Sequence, residues 1–238
     1  MNNRRTLIAA VVAGALILGA AGVGVLYFVV FAGSSPQKLA LSSPTPSPSG
    51  SAAASTAGAG TWTVGSGSVA GYRVREQLAS LAAPSDAVGR TSAITGTLTL
   101  TQAASGYTVA ASGFTVDVSK LTSDQSRRDQ RIHSQGLESD RYPTATFKLT
   151  SPIALSADAT SGQTIHVSAT GDLTIHGVTK SVTIPIDARL TGSKIELVGS
   201  ITFPFSQFGM TPPSIGGFVT VQSNATMEFQ LLMTQQGA

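Results

Sequence analysis

Leu173-Thr174-Ile175-His176-Gly177-Val178-Thr179-Lys180 reads as a strand that runs into a tight turn and comes straight back. Leu173 and Ile175 alternate with polar neighbours, and Val182, Ile184 and Ile186 resume the alternation beyond the turn. That period of two puts one face of each strand in an apolar interior and the other in water. A His-Gly link suits the reversal because Gly177 accepts a positive φ without steric penalty. Asp172 and Lys180 flank it in solvent, and the returning strand covers residues 181–190.

The same period extends in both directions. About thirty residues earlier, Arg141-Tyr142-Pro143-Thr144-Ala145-Thr146-Phe147 is a strand whose entry is preset by the fixed φ of Pro143, with Ala145, Phe147 and Leu149 on one face. Tyr72, Val74 and Leu78, then Ile94, Leu98 and Leu100, then Phe114, Val116 and Val118 repeat the pattern upstream. Ile165 and Val167, Ile201, Phe203 and Phe205, and finally Ala225, Met227, Phe229 and Leu231 repeat it downstream. About eight strands follow from this count. Regular short strands separated by Gly, Ser and Asp turns point to a closed barrel or a two-sheet sandwich, because an open antiparallel sheet leaves unpaired edges. One helix interrupts them at 124–135, with Thr122 and Gln125 as a capping box and Gly136 as its stop. Its apolar face is essentially Ile132, so most of it is expected to face water.

Ahead of the β region the composition changes twice. Residues 6–32 hold no charged side chain, and 27 residues of helix would run about 40 Å, enough to cross a bilayer. Arg4 and Arg5 precede the run, which orients the N-terminus to the cytoplasm and the remainder outside. A cleaved signal peptide has a shorter apolar stretch, so residues 1–32 are read as cytoplasmic N-terminus and transmembrane helix, with a secreted domain as the alternative should the segment be cleaved. Residues 33–60 are rich in Ser, Pro, Thr, Ala and Gly and are read as a disordered, passive linker. Residues 61–238 form the folded domain. Of 15 Lys and Arg, three (Arg4, Arg5 and Lys38) precede residue 61, and all 12 Asp and Glu follow it, so the domain's formal net charge is zero. Nucleic-acid binding is excluded on that ground, since it calls for a clustered basic footprint. With no cysteine, disulfides and thiolate chemistry are excluded as well.

The opening Trp62-Thr63-Val64, the helical Arg128-Asp129-Gln130-Arg131-Ile132-His133-Ser134 running on to Tyr142-Pro143 and Phe147, and the 173–180 hairpin occur in the order seen in the YceI-like family, which this chain resembles from Trp62 to about Met233. Three segments depart from that family's pattern: Leu137-Glu138 stands where paired aromatics are usual, and the strands at 72–78 and 92–100 are divergent. The resemblance implies an all-β, eight-stranded antiparallel lipocalin-like barrel whose lumen holds a long apolar tail, with a polyisoprenoid or isoprenoid quinone as the expected ligand. On that reading the inward row Phe114, Val116, Phe147, Leu173, Ile175, Phe203 and Phe229 lines the lumen. Gly96, Ala145, Ala169 and Ala225 are the small inward residues that leave room for a ligand.

No metal or other cofactor is expected. His133, His166 and His176 are not spaced to share a metal ion. His166 shares its strand parity with Thr164, Ser168 and Thr170 and is expected in solvent. His176 is read as a structural hydrogen-bonding partner of its loop. Asp117 falls on the face opposite Phe114 and Val116. No nucleophile sits beside a base and no carboxylates pair, so no catalytic residue is assigned and the protein is read as a non-enzyme. Arg127, Arg128 and Arg131 with Asp129 have the chemistry to bind a diphosphate or a membrane surface, but a solvated helix with local ion pairs is the preferred reading. The expected function is that of a membrane-tethered, extracytoplasmic lipid carrier. The alternative is an interaction module with a packed barrel core, and an enzyme acting on a lipid ranks below both.

Overall fold

Among the described residues, eleven antiparallel strands in a single sheet realise the alternation: β1 (Gly60–Val64), β2 (Val69–Leu78), β3 (Ser85–Thr91), β4 (Ile94–Ala103), β5 (Gly106–Asp117), β6 (Thr144–Leu149), β7 (Ile153–Ala154), β8 (Ile165–Ile175), β9 (Val178–Thr191), β10 (Lys194–Pro204) and β11 (Val219–Gln235). The structure is a computed structural model that describes residues 35–43, 58–78, 84–104, 106–213 and 219–236. Gln37–Ala238 form one compact unit.

The strands close a barrel of eight staves. Neighbours run β1-β4-β5-β6-β8-β9-β10-β11 and return to β1 through Trp62↔Gln235 and Val64↔Met233. The strand count exceeds eight because three staves are broken. β2 continues β1 along the same edge of β11, β3 continues β4, and β7 continues β6 beside β5. The first break, at residues 65–68, is held by the buried Ser68. Its hydroxyl donates to the Gly65 carbonyl (2.8 Å) and accepts from the Leu232 amide (2.9 Å), taking over ladder bonds that the backbone gives up there. A bulge between Val109 and Ala111 changes the parity of β5, so Val109, Phe114 and Val116 all turn inward despite their odd spacing.

The two stretches that decide the fold in sequence meet in space. Phe147 pairs with Leu173 and Thr146 with Thr174 across β6 and β8. At the turn between β8 and β9, His176 (φ 53°) and Gly177 (φ 71°) both lie in the left-handed region, the geometry that matches the twist of a two-residue hairpin. The Tyr142 ring packs on His176 with centroids 4.6 Å apart, and a Cβ on Gly177 would lie 2.7 Å from Tyr142 Cε1. His176 Nδ1 donates to the Phe208 carbonyl (3.3 Å), and its Nε2 faces Glu138 Oε1 at 3.2 Å. The histidine therefore ties the turn to two loops, as expected of a structural residue.

The helix is shorter than its sequence pattern. α1 (Ser126–Arg131) runs into a wider π turn, Ile132–Gly136. The Thr122–Gln125 capping box does not form, because the Thr122 backbone is bridged to Arg90. Asp129 reaches back instead: its carboxylate accepts from the Ser123 amide (3.0 and 3.1 Å) and hydroxyl (2.6 Å).

The expectation of a disordered linker fails for residues 37–43, which lie against the outer wall of the barrel with hydrogen bonds to Arg90, Arg189 and Glu196. Among the described residues no helix is long and apolar enough to cross a membrane. The run at 6–32, where the spanning helix is expected, lies outside them.

Candidate functional site

Inside the barrel the inward side chains form two clusters that do not fill it. One, around Trp62, Leu98, Leu190 and Met233, occupies the end where β1 closes the ring. The other, around Leu173, Ile184, Phe203 and Phe208, occupies the end beside α1. Phe147, Ile186 and Phe229 pack against both. Between and along them runs a cavity of about 620 Å³ with a mostly apolar lining, in the range of sites that hold one small organic ligand.

The space exists because aromatic rings lie flat against the wall, over glycines of neighbouring strands. A Cβ on Gly96 would sit 2.5 Å from the Phe114 ring, one on Gly171 2.5 Å from Phe147, and one on Gly199 2.5 Å from Phe229. Gly96 faces Phe114 and Gly199 faces Phe229 in register, while Gly171 is diagonal to Phe147. A side chain at these glycines would collide with the ring, and at Gly96 and Gly171 also with a backbone carbonyl 2.4 Å away. A barrel of eight strands is otherwise narrow enough for its own side chains to fill.

All seven residues expected in the lumen line this cavity. Leu173, Ile175 and Phe203 are buried, whereas Phe114, Val116, Phe147 and Phe229 keep part of their surface open to it. Ala145, Ala169 and Ala225 also line it. The inward-row reading leaves out Trp62, Leu197 and Leu231 at the β1 end and Tyr72, Ile132 and Leu137 at the helix end. Ile132 and Leu137 are reachable from sequence only through the apolar face of the helix, which the pattern shows thinly.

Charge gathers at the helix end. Glu76, Arg127, Arg128 and Arg131 line that part of the cavity. Arg128 is committed to the fold: Nη2 pairs with Glu76 Oε1 at 2.7 Å and Nη1 with Asp124. Burial works against its charge, but the two carboxylates outweigh burial and its pKa is raised. Ion pairing thus accounts for Arg128 and hydrogen bonds from Ser123 for Asp129, while Arg127 and Arg131 stand at the rim. Beside them, burial pushes the Tyr72 phenol well above its ordinary value. His166 is exposed on the outer face and bonds Asp187 (2.6 Å), and Asp117 caps the turn after β5 through Ser119 (3.0 Å to its amide). His133 bonds the buried Ser139. His133, His166 and Asp117 do not line the cavity.

A model of the YceI-like domain matches residues 62–233. The chain belongs to the YceI-like family. Solved structures of similar fold include a polyisoprenoid binding domain from Saccharophagus degradans, 13% identical, covering 75% of this chain and 99% of that one with a TM-score of 0.58. BcnA from Burkholderia cenocepacia is 18% identical over 68% of this chain and 95% of its own, with a TM-score of 0.50. At these identities the likeness is one of fold. No curated protein matches. This YceI-like barrel therefore rests on its own geometry for any statement about what fills it.

Proposed function

We propose that this YceI-like protein carries one isoprenoid-type lipid, a polyisoprenoid or an isoprenoid quinone, in its lumen without chemical turnover. The observation that carries the reading is the apolar cavity of about 620 Å³. An interior with that much room favours a carrier over a solid, packed interaction module. Phe114, Val116, Phe147, Leu173, Ile175, Phe203 and Phe229 contact the tail. The head group sits at the helix end, where Arg127 and Arg131 stand. Burying about ten methylenes at roughly 0.8 kcal/mol each supplies about 8 kcal/mol before ordering costs, so affinity needs no polar recognition. The uncharged run at 6–32 anchors the protein, with the barrel outside the cytoplasm and beside the membrane that supplies its ligand.

Isoprenoid alcohols of increasing length, titrated against the protein, test the lumen. Affinity rises with each added unit until the cavity is full and then levels off. Affinity that is absent, or independent of length, defeats the reading.

A further inference from the structure

The outer wall of a barrel in water is ordinarily exposed, yet Glu196, Val198 and Glu228 point outward here and are buried, Glu228 to 3% exposure. Residues 37–43 explain part of this. Ser42 donates both its amide and its hydroxyl to Glu196 Oε1 (2.9 Å each), and its carbonyl accepts from Arg189 Nη2 (2.5 Å). At the other end, the Gln37 carbonyl accepts from Arg90, which also bonds Glu228 (3.0 Å). Arg189 lies on β9 and Arg90 on β3, four strand spacings apart in the order β9-β10-β11-β2-β3. At about 4.8 Å per strand that is roughly 19 Å, and five extended residue steps cover roughly 17 Å. The segment therefore runs across the strands, with Leu39 and Leu41 half-buried against the wall.

These contacts read the backbone at both ends and a serine hydroxyl at one. The carboxylate of Glu196 is itself held in place by Arg189 (3.0 Å) and Gln230 (2.7 Å). A composition rich in Ser and Pro accounts for a linker without a core, but not for a charged receptor on the barrel that matches it.

We propose that the wall of β9, β10, β11 and β3 is a docking site for the chain's own linker, residues 37–43, and that this clasp gives the barrel a tether of two lengths. Docked, the barrel is attached to what precedes it at Gln37. Released, it is attached at Gly60, and residues 37–59 are added to the tether. The occupant is an extended peptide recognised through its backbone, two leucines and a serine. The proposal is independent of what fills the lumen.

The test uses the full chain in lipid nanodiscs. Since the chain has no cysteine, Lys38→Cys with Lys148→Cys places one spin label on the exposed linker side chain and one on the far wall. Pulsed electron resonance gives a single narrow distance, and adding Ser42→Pro with Glu196→Ala spreads it. Trp62 is the one tryptophan and is fully buried, so unchanged emission shows that the barrel is intact. If that emission shifts, Ser42→Pro alone, which alters only the linker, gives the same reading. A distribution already broad without the clasp substitutions, or one that stays narrow with them, overturns the proposal.

Discussion

Ala145→Phe separates a ligand-holding lumen from a packed core, because the two give opposite changes in stability. Ala145 is half-buried on the inward row, opposite Val116 in the β5–β6 register, and lines the cavity. In a filled core an added ring forces its neighbours off their rotamers and costs about 1–3 kcal/mol. In this lumen the ring enters open space and stabilises the empty protein by about 1.5–3 kcal/mol. The same ring takes the room of about four methylenes of a bound tail, which at roughly 0.8 kcal/mol each removes about 3 kcal/mol of binding, or about two orders of magnitude in Kd. Urea unfolding followed by Trp62 emission measures the first quantity, and titration with a fluorescent polyprenyl probe measures the second. A destabilised variant that binds the probe as tightly as the parent would refute the reasoning.

Further outcomes follow from the wall and the turn. Gly177→Ala forces a Cβ onto a residue at φ 71° and against the Tyr142 ring, and is expected to lower unfolding free energy by about 1–2 kcal/mol; a loss below a few tenths contradicts the role assigned to the turn. Glu228→Ala leaves the buried Arg73 and the half-buried Arg90 short of a carboxylate that each now bonds (3.3 and 3.0 Å), so denaturant unfolding should show a loss of about 3 kcal/mol. Burial opposes the charge on Glu196, but bonds from Gln230, Ser42 and Arg189 outweigh it and hold its pKa below the ordinary 4.5. Its contribution to the clasp is therefore complete above about pH 4.5 and fades as the pH falls through the lower folded value. Hydrogen exchange at the Ser42 amide should be slow at pH 6 and lose its protection in that acid range, and protection that persists there counts against the contact.

The features legible in sequence are those with a local signature. The alternation at Leu173 and Ile175 and at Ala145 and Phe147 marks the inward row, and His176-Gly177 marks the turn, because period and turn chemistry are properties of neighbouring residues. The broken staves escape that reading, since Ser68 takes on its role only through Leu232, 164 positions away. The room in the lumen escapes it too. Phe114, Phe147 and Phe229 look like core fillers until strand register sets each over a glycine. The helix begins two residues later than its pattern because the Thr122 backbone is bridged to Arg90, a long-range competitor that a capping pattern does not reveal. Residues 37–43 are misread for a related reason: their composition describes what they cannot build alone, whereas their partners Glu196, Arg189 and Arg90 lie on strands far along the chain.

Native mass spectrometry of the purified protein, followed by denaturing extraction and identification of what is released, tests the central claim most directly. The account predicts one adduct per chain that comes off as a long apolar isoprenoid lipid, and that Ala145→Phe depletes it. A bare protein that also takes up no added isoprenoid would contradict it.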